Sequence, residues 1–375
     1  MTPADRAAAF LRIDLEALCD NWRLLASRVA PALCAAVVKA DAYGLGVEPV
    51  VRALLRAGCR EFFVALVDEG IRSLDALGDI WPTDARLHVL NGAMPGAELD
   101  CLARGLVPVL NSLDQIERWQ RLAQREGRAL PAAIQGDTGM ARLGLAPAEL
   151  RLLDAEPHRL AGIEPTLVMS HLVSAEDPAN PMNRLQLQRF LALRARWPAA
   201  MTSLANSSGV FLGPDFHFDL CRPGAALYGI APMAGHPNPM RAVVQVQARL
   251  IQCRELGAGE GVGYNHEWKA PSGGARVATV SVGYADGCLR SLTNRSTLRF
   301  QGQAVPLVGR VSMDTITVDV SSIAPGSLVP GAPFDLLDEA HDIDALAAEA
   351  GTNAYEILTS LGLRYRRSYI GPHES

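Results

Sequence analysis

The chain has no block of basic residues, no Cys-x-x-Cys pair, no apolar run long enough to cross a bilayer, and no internal repeat or low-complexity tract. Each absence excludes something. With a net charge of -5 and a pI near 5.9, the missing basic block argues against nucleic acid or an anionic membrane as the main partner. Cys19, Cys34, Cys59, Cys101, Cys221, Cys253 and Cys288 are odd in number and scattered among mostly apolar neighbours. They read as reduced core thiols of a cytoplasmic protein, and neither a disulfide framework nor a metal site is expected. Met1 to Phe10 lack the basic start and apolar stretch of a secretion signal, so neither secretion nor membrane insertion is expected.

What is present is ample apolar material. The 375 residues are 49% hydrophobic with a mean hydropathy of +0.10, enough for two domains with real cores. Leu15, Leu18, Trp22, Leu25 and Val29 recur at helical spacing behind Asp14, a candidate N-cap. Short apolar runs then alternate with helix-like segments: Ala35 to Val38, Phe62 to Val67, Leu87 to Leu90, Val107 to Leu110, Ala132 to Ile134, Thr166 to Ser170, Thr202 to Ala205 and a weaker one at Phe218 to Arg222. Eight strand signals at this spacing, over roughly 230 residues, fit an N-terminal (β/α)₈ TIM-like barrel. A doubly wound open sheet would alternate in the same way, but no Gly-x-Gly-x-x-Gly follows the first run. Around Pro232 to Pro239 a Pro- and Gly-rich stretch reads as a linker. Beyond it Val243 to Ile251, Arg276 to Val282, Thr297 to Phe300, Ala304 to Val311 and Thr315 to Val320 predict a mostly β C-terminal domain, with one helix at Asp342 to Ala350. The boundaries predicted are 11–240 for the barrel and 241–375 for the β-rich domain, with residues 1–13 free to pack against the latter.

The residues just past each barrel run are chemically loaded. Lys39 ends the first run and Tyr43 comes four residues later; after the fifth come Asp137-Thr138-Gly139-Met140-Ala141-Arg142, and after the sixth His171. After the seventh lies Asn206-Ser207-Ser208-Gly209, and after the eighth Arg222-Pro223-Gly224-Ala225-Ala226-Leu227-Tyr228-Gly229. Carboxyl ends of barrel strands are where such folds place chemistry, and barrels often bind phosphate after strands seven and eight. Hydroxyls and unhindered N–H groups there could cradle an anion. Desolvation at the end of a buried strand lowers a lysine's pKa, as an amine that forms a Schiff base or takes a carbon-bound proton requires. Singly these features are ordinary: Ser-Gly turns mostly bind nothing, a lone histidine is more often packed, and Lys39 could simply point to water. Together they describe a phosphorylated cofactor at a mouth that also holds an amine, and pyridoxal 5′-phosphate (PLP) meets that description. An arginine against its pyridine nitrogen could not accept the ring proton and would weaken the electron sink, which suits a short-lived carbanion.

With these motifs in place the chain resembles the alanine racemases, PLP isomerases of the barrel-plus-β-domain class, from about Leu11 to Tyr369. The matching stretches are Val38-Lys39-Ala40-Asp41-Ala42-Tyr43-Gly44, Asp137 to Met140, Ser170-His171, Asn206-Ser207 and Arg222 to Gly229. In the second domain they are Gly261-Val262-Gly263-Tyr264, Gly283 to Gly287, Val308 to Asp314 and Tyr355-Glu356. The resemblance implies that Lys39 holds PLP and is the base on the D face, with Tyr264 the opposing base on the L face. It implies a head-to-tail homodimer in which the β-domain of one subunit closes the other's barrel mouth, so that Tyr264, Tyr284 and Met313 serve the partner's site. Tyr43, Ser207, Gly224, Ala225 and Tyr355 match phosphate ligands, with Asn206 and His171 in the same pocket. Arg222 matches the pyridine-nitrogen partner, and Arg142 the group near the cofactor's phenolic oxygen and the substrate carboxylate. Met313 would offer its N–H to that carboxylate, and Tyr284 would be a gate. Racemisation removes a proton from one face of a planar carbanion and delivers one to the other, which a single fixed base reaches poorly. A hydrogen-bonded chain from Arg222 through His171 to Tyr264 is expected to make that tyrosine a better base.

The sequence also departs from the family. Two residues before Asp137, many members carry a carbamylated lysine that orients the following arginine; here Gln135 offers an amide without charge, so Arg142 should be held less firmly and bicarbonate should not matter. Ser312 stands for the usual cysteine, and Asp41 and Leu45 for common Asn and His. Rival readings are a racemase of serine or of broader specificity, and a fold-related PLP decarboxylase. The latter normally sets an acid, not an arginine, against the pyridine nitrogen. A non-catalytic PLP carrier resembles the barrel alone and leaves the chain from Arg241 onward without a purpose. If alanine is the substrate, the product is D-alanine for peptidoglycan, or the reverse reaction serves catabolism.

Overall fold

The computed structural model describes residues 6–371, which fall into two units. Strand β1 (Ala9–Asp14) leads into helix α1 (Leu15–Val29), and Asp14 is the cap its sequence position suggests: its Oδ1 accepts the Ala17 N–H at 2.8 Å.

One unit comprises Cys19–Leu227 with Ala231–Met240. Its strands are β2 (Leu33–Cys34), β3 (Ala36–Val37), β4 (Glu61–Val64), β5 (Arg86–Val89), β6 (Val107–Leu110), β7 (Leu130–Gln135), β8 (Ile163–Met169), β9 (Met201–Ser203) and β10 (Leu220–Cys221). From β3 to β9 they pair in parallel and in chain order. Backbone bonds then close the ring. Asp219 and Arg222 donate to Thr202 and Ala205 at 3.0 and 2.9 Å, while Ala35 and Val37 donate to Cys221 and Pro223 at 2.9 and 3.0 Å. Every residue of β4 and β6 is buried, the mark of parallel strands covered on both faces. The cover is helical: α2 (Val47–Ala57), α3 (Val67–Leu77), α4 (Glu98–Ala103), α5 (Leu113–Glu126), α6 (Pro147–Ala155) and α7 (Pro181–Arg194) fall between the strands. In α2, Val50, Val51, Leu54 and Leu55 bury one stripe, the amphipathic pattern of a helix laid on a sheet.

Two expectations are corrected. The run expected from Phe62 to Val67 stops at Val64, because the Ala65 and Leu66 N–H groups turn to the Glu69 carboxylate at 2.7 and 3.3 Å and Val67 begins α3. The eighth strand shrinks to Leu220–Cys221. The Pro- and Gly-rich stretch groups with the barrel unit, inside the predicted 11–240 boundary, and Ala234 N–H donates there to Glu176 O at 3.2 Å.

The other unit takes in the described residues up to Leu18, Tyr228–Ile230, and the chain from Arg241. Its long strand β11 (Val244–Leu256) is succeeded by β12 (Gly261–Val262), β13 (Trp268–Lys269), β14 (Ala275–Val280), β15 (Thr297–Phe300), β16 (Gln303–Pro306), β17 (Ile316–Asp319), β18 (Pro333–Leu337) and β19 (Arg366–Ile370). The main path runs β16-β15-β18-β11-β1-β19, with β14 and β17 continuing from β11. All of these pairings are antiparallel except β1 with β19. The rings of Phe300 and Phe334, 4.7 Å apart, sit in the core beneath. Helix α8 (Ile343–Ala350) is capped by Asp342, whose side chain accepts from Ala345. Helix α9 (Ala354–Ser360) has no counterpart among the elements expected from the sequence. No helix among the described residues is long and apolar enough to cross a membrane.

Candidate active site

Lys39 stands just beyond β3, half-buried. Burial, and then the Arg142 cation, lower its pKa from the ordinary lysine value; Glu69 opposes them. The backbone immediately after it is unusual. Ala40, Asp41, Ala42 and Tyr43 all have φ between 53° and 55°, a full left-handed turn without a glycine, in a region that costs an ordinary residue about 1–2 kcal/mol. The turn is held from outside: Val47 N–H donates to Asp41 Oδ1 at 2.8 Å and Ala40 N–H to Glu69 Oε1 at 2.8 Å. Its effect is to bring Tyr43 back under the strand ends, where it is buried.

Tyr43 meets the loops after β9 and β10. Asn206 Oδ1 accepts the Gly209 N–H at 2.9 Å and shapes the first loop. Ser207 Oγ accepts the N–H groups of Gly224 and Ala226 at 3.0 and 3.2 Å. Between them the buried Ala225 N–H has no acceptor among the described residues. Gly224 is glycine for a reason visible here, since a Cβ would strike Tyr43 Oη. An unpaired buried donor framed by hydroxyls and small residues fits a phosphate.

Arg222 lies in the barrel centre. It is buried, donates from one Nη to Ser170 O at 2.7 Å and from the other to Ser203 Oγ, and has Phe63 6.0 Å beneath it. Among the described residues its Nε–H has no acceptor and no carboxylate pairs with it. Burial lowers its pKa to about 10, so it stays charged at neutral pH. The half-buried His171 is driven down to about 3, by burial first and then by the Arg222, Arg142 and Lys39 cations. It is therefore a neutral imidazole. The expected hydrogen bond from Arg222 to His171 is not formed, because the Arg222 donors go to Ser170 and Ser203.

Arg142 is exposed and makes no hydrogen bond or ion pair with the buried Gln135. Its loop is shaped by Asp137, whose Oδ1 accepts from Gly139, Met140 and Ala141 at 2.8, 2.9 and 3.2 Å. Behind it Thr138 Oγ1 lies 2.7 Å from Ser170 Oγ, Gln186 Nε2 donates to Thr138 Oγ1 and His171 O at 3.1 and 2.9 Å, and Arg189 donates to Thr138 O at 2.9 Å. Sequence reasoning missed Glu69, Gln186, Arg189 and Ser203. Only Glu69 left a signal, an acid in the first turn of a helix.

In the β unit, Tyr264 comes just after β12 and is 69% exposed, and Tyr284, Met313 and Tyr355 are exposed too. Tyr284 and Met313 share one corner, where Tyr284 N–H donates to Ser312 O and Ala285 N–H to Met313 O, both at 3.0 Å. Arg364 rivets it, with two bonds of 2.7 Å to Asp286 and one of 2.6 Å to Asp314.

A closed parallel barrel with a desolvated lysine, an anion cradle and an arginine without an acid at one mouth, in a chain that also carries an antiparallel unit, defines a PLP enzyme of the barrel-plus-β class. The chain belongs to the alanine racemase family: residues 13–232 match the model of the alanine racemase N-terminal domain and 243–369 that of the C-terminal domain. The alanine racemase of Rhodospirillum rubrum is 52% identical over 371 residues, covering 99% of this chain and 98% of the relative. A catabolic alanine racemase of Mesorhizobium japonicum is 48% identical over 97% of this chain and 94% of the relative. Among solved structures, the alanine racemase of Bartonella henselae with covalently bound pyridoxal phosphate superposes with a TM-score of 0.92 at 42% identity, covering 97% of this chain and 100% of that one.

Proposed function

We propose that this chain is an alanine racemase that interconverts L- and D-alanine with PLP and works as a homodimer. The observation that carries the reading is the mouth itself: one amine with a lowered pKa, one buried arginine with a free Nε–H, and one unpaired amide inside a Ser-Gly cradle. Lys39 would hold the cofactor, Tyr43, Ser207, Gly224, Ala225 and Tyr355 its phosphate, and Arg222 its ring nitrogen. PLP, when bound, supplies the electron sink that acidifies the substrate α-carbon. Lys39 then takes or returns a proton on the D face, and the burial that lowers its pKa favours the neutral amine relative to a free lysine. The partner's Tyr264 serves the L face. Neutral His171 is not a competing cation in that pocket. Arg142 and the partner's Met313 N–H receive the substrate carboxylate, with the partner's Tyr284 at the entrance. The exposure of Tyr264, Tyr284 and Met313 supports a second copy of the chain as their cover. The reaction serves either D-alanine supply for peptidoglycan or alanine breakdown.

The deciding experiment incubates the purified protein with L-alanine and PLP in D₂O. D-alanine carrying an α-deuterium, at catalytic turnover, is the expected product. PLP bound without any exchange at the α-carbon would rule out alanine and move the reading to another amino acid or to decarboxylation.

A further inference from the structure

Glu69 lies in the first turn of α3, and its carboxylate gathers three backbone N–H groups from two strand ends. Oε2 takes Ala65 and Leu66 at 2.7 and 3.3 Å, while Oε1 takes Ala40 at 2.8 Å. The first two bonds are ordinary for the start of a helix. The third reaches back 29 residues. Ala40 is the residue after Lys39 and opens the left-handed turn, it is exposed, and its N–H has no other acceptor among the described residues. Four successive residues with positive φ do not hold that conformation unaided, so the bond at the first of them fixes where the turn begins.

We propose that Glu69 is a positioning residue for Lys39: by anchoring the Ala40 N–H it sets the direction in which the lysine side chain leaves the strand. The inference rests on the reading of Lys39 as the cofactor lysine and base. An amine that must give up and regain a proton in alternate directions works best with both forms populated. Burial and Arg142 push Lys39 toward the neutral form and Glu69 pushes back; His171, which feels the Lys39 charge, is itself neutral.

The test uses three variants of the full chain. Glu69→Gln keeps the shape, and its one oxygen can still serve Ala65 and Leu66, but its NH₂ faces the Ala40 N–H as a second donor. Glu69→Asp keeps the charge and loses the reach. Glu149→Gln is the control, since Glu149 takes the Ala146 N–H at 2.8 Å at the start of α6, in the same kind of cap. Lys39 and Lys269 are the chain's only lysines, so acetylation before cofactor is added, with peptide mass spectrometry as the readout, titrates Lys39 cleanly. In Glu69→Gln, Lys39 should titrate at lower pH than in the parent. In Glu69→Asp the titration should stay near the parent's. Both should lose about 100-fold in kcat with KM within threefold, the scale of a misplaced catalytic group, and Glu149→Gln should change neither. A Glu69→Gln variant that behaves like Glu149→Gln in titration and kcat makes Glu69 a helix cap only and overturns the proposal. Should the variants not fold, hydrogen exchange of the parent decides: a protected Ala40 amide supports the anchor, and exchange at the rate of free peptide overturns it. Borohydride reduction of the loaded enzyme that labels a residue other than Lys39 would defeat the cofactor reading, while the titration still decides whether Glu69 governs the amine.

Discussion

At Gly224 one hydrogen atom separates a working cradle from a blocked one. A methyl at that position has Tyr43 Oη in its way, and either the hydroxyl or the loop must retreat from the space a phosphate would take. Gly224→Ala should therefore bind PLP about tenfold or more weakly, the order of a lost charge-assisted contact. A cofactor titration monitored by absorbance would read this, with unchanged far-UV circular dichroism showing that the barrel persists. His171 gives a second test, on pH. Its pKa falls from 6.5 to about 3 on folding, so between those values the unfolded chain takes up a proton that the folded chain refuses. Stability is then lost as pH drops through that window. Compared with His171→Gln, which does not titrate, the parent should lose ground between pH 7 and pH 4 in urea unfolding. A constant difference across that range would show that the imidazole is not held neutral.

The left-handed turn shows what an element conceals from its sequence. Ala40-Asp41-Ala42-Tyr43 contains no glycine, and the acceptors that hold it, Asp41 Oδ1 and Glu69 Oε1, serve N–H groups that sequence spacing does not pair. The strands were legible because β-branched and aromatic runs such as Val107–Leu110 are bounded by turn residues and need no long-range partner to be recognised. The strand β18 opens on Pro333 and alternates over only three residues, Phe334 to Leu336, and β19 reads Arg-Arg-Ser-Tyr-Ile without alternation; their neighbours in the sheet make them strands. Lys39, Arg222 and the cradle could be read from strand ends, whereas Ser170 and Ser203 as partners of Arg222 depend on the curl of the barrel. Strain in the turn can be measured. Ala40 is exposed, so Ala40→Gly loses no buried methyl. Relief of its positive φ, about 1–2 kcal/mol, outweighs the added freedom of the unfolded chain, about 0.5–1 kcal/mol. A net gain of roughly 0.5–1 kcal/mol in denaturant unfolding is expected; a loss would mean that the methyl is packed in solution.

At the scale of the whole molecule, the question is which chain supplies which base. Lys39 belongs to the barrel unit and Tyr264 to the β unit, and the proposed dimer joins the lysine of one copy to the tyrosine of the other. That arrangement has a consequence no monomeric enzyme could show. Lys39→Ala and Tyr264→Phe should each be inactive as pure dimers in converting L-alanine to D-alanine, because every site lacks one base. In a mixed dimer, the two defects fall together in one site and leave the other intact. Co-expression with different tags and tandem purification isolate the mixed species, which should recover about half of the parental activity, as a two-fold dimer with independent sites requires. Random mixing without separation should give about a quarter. If the two bases came from the same chain, each site of the mixed dimer would still lack one of them, and no activity would return.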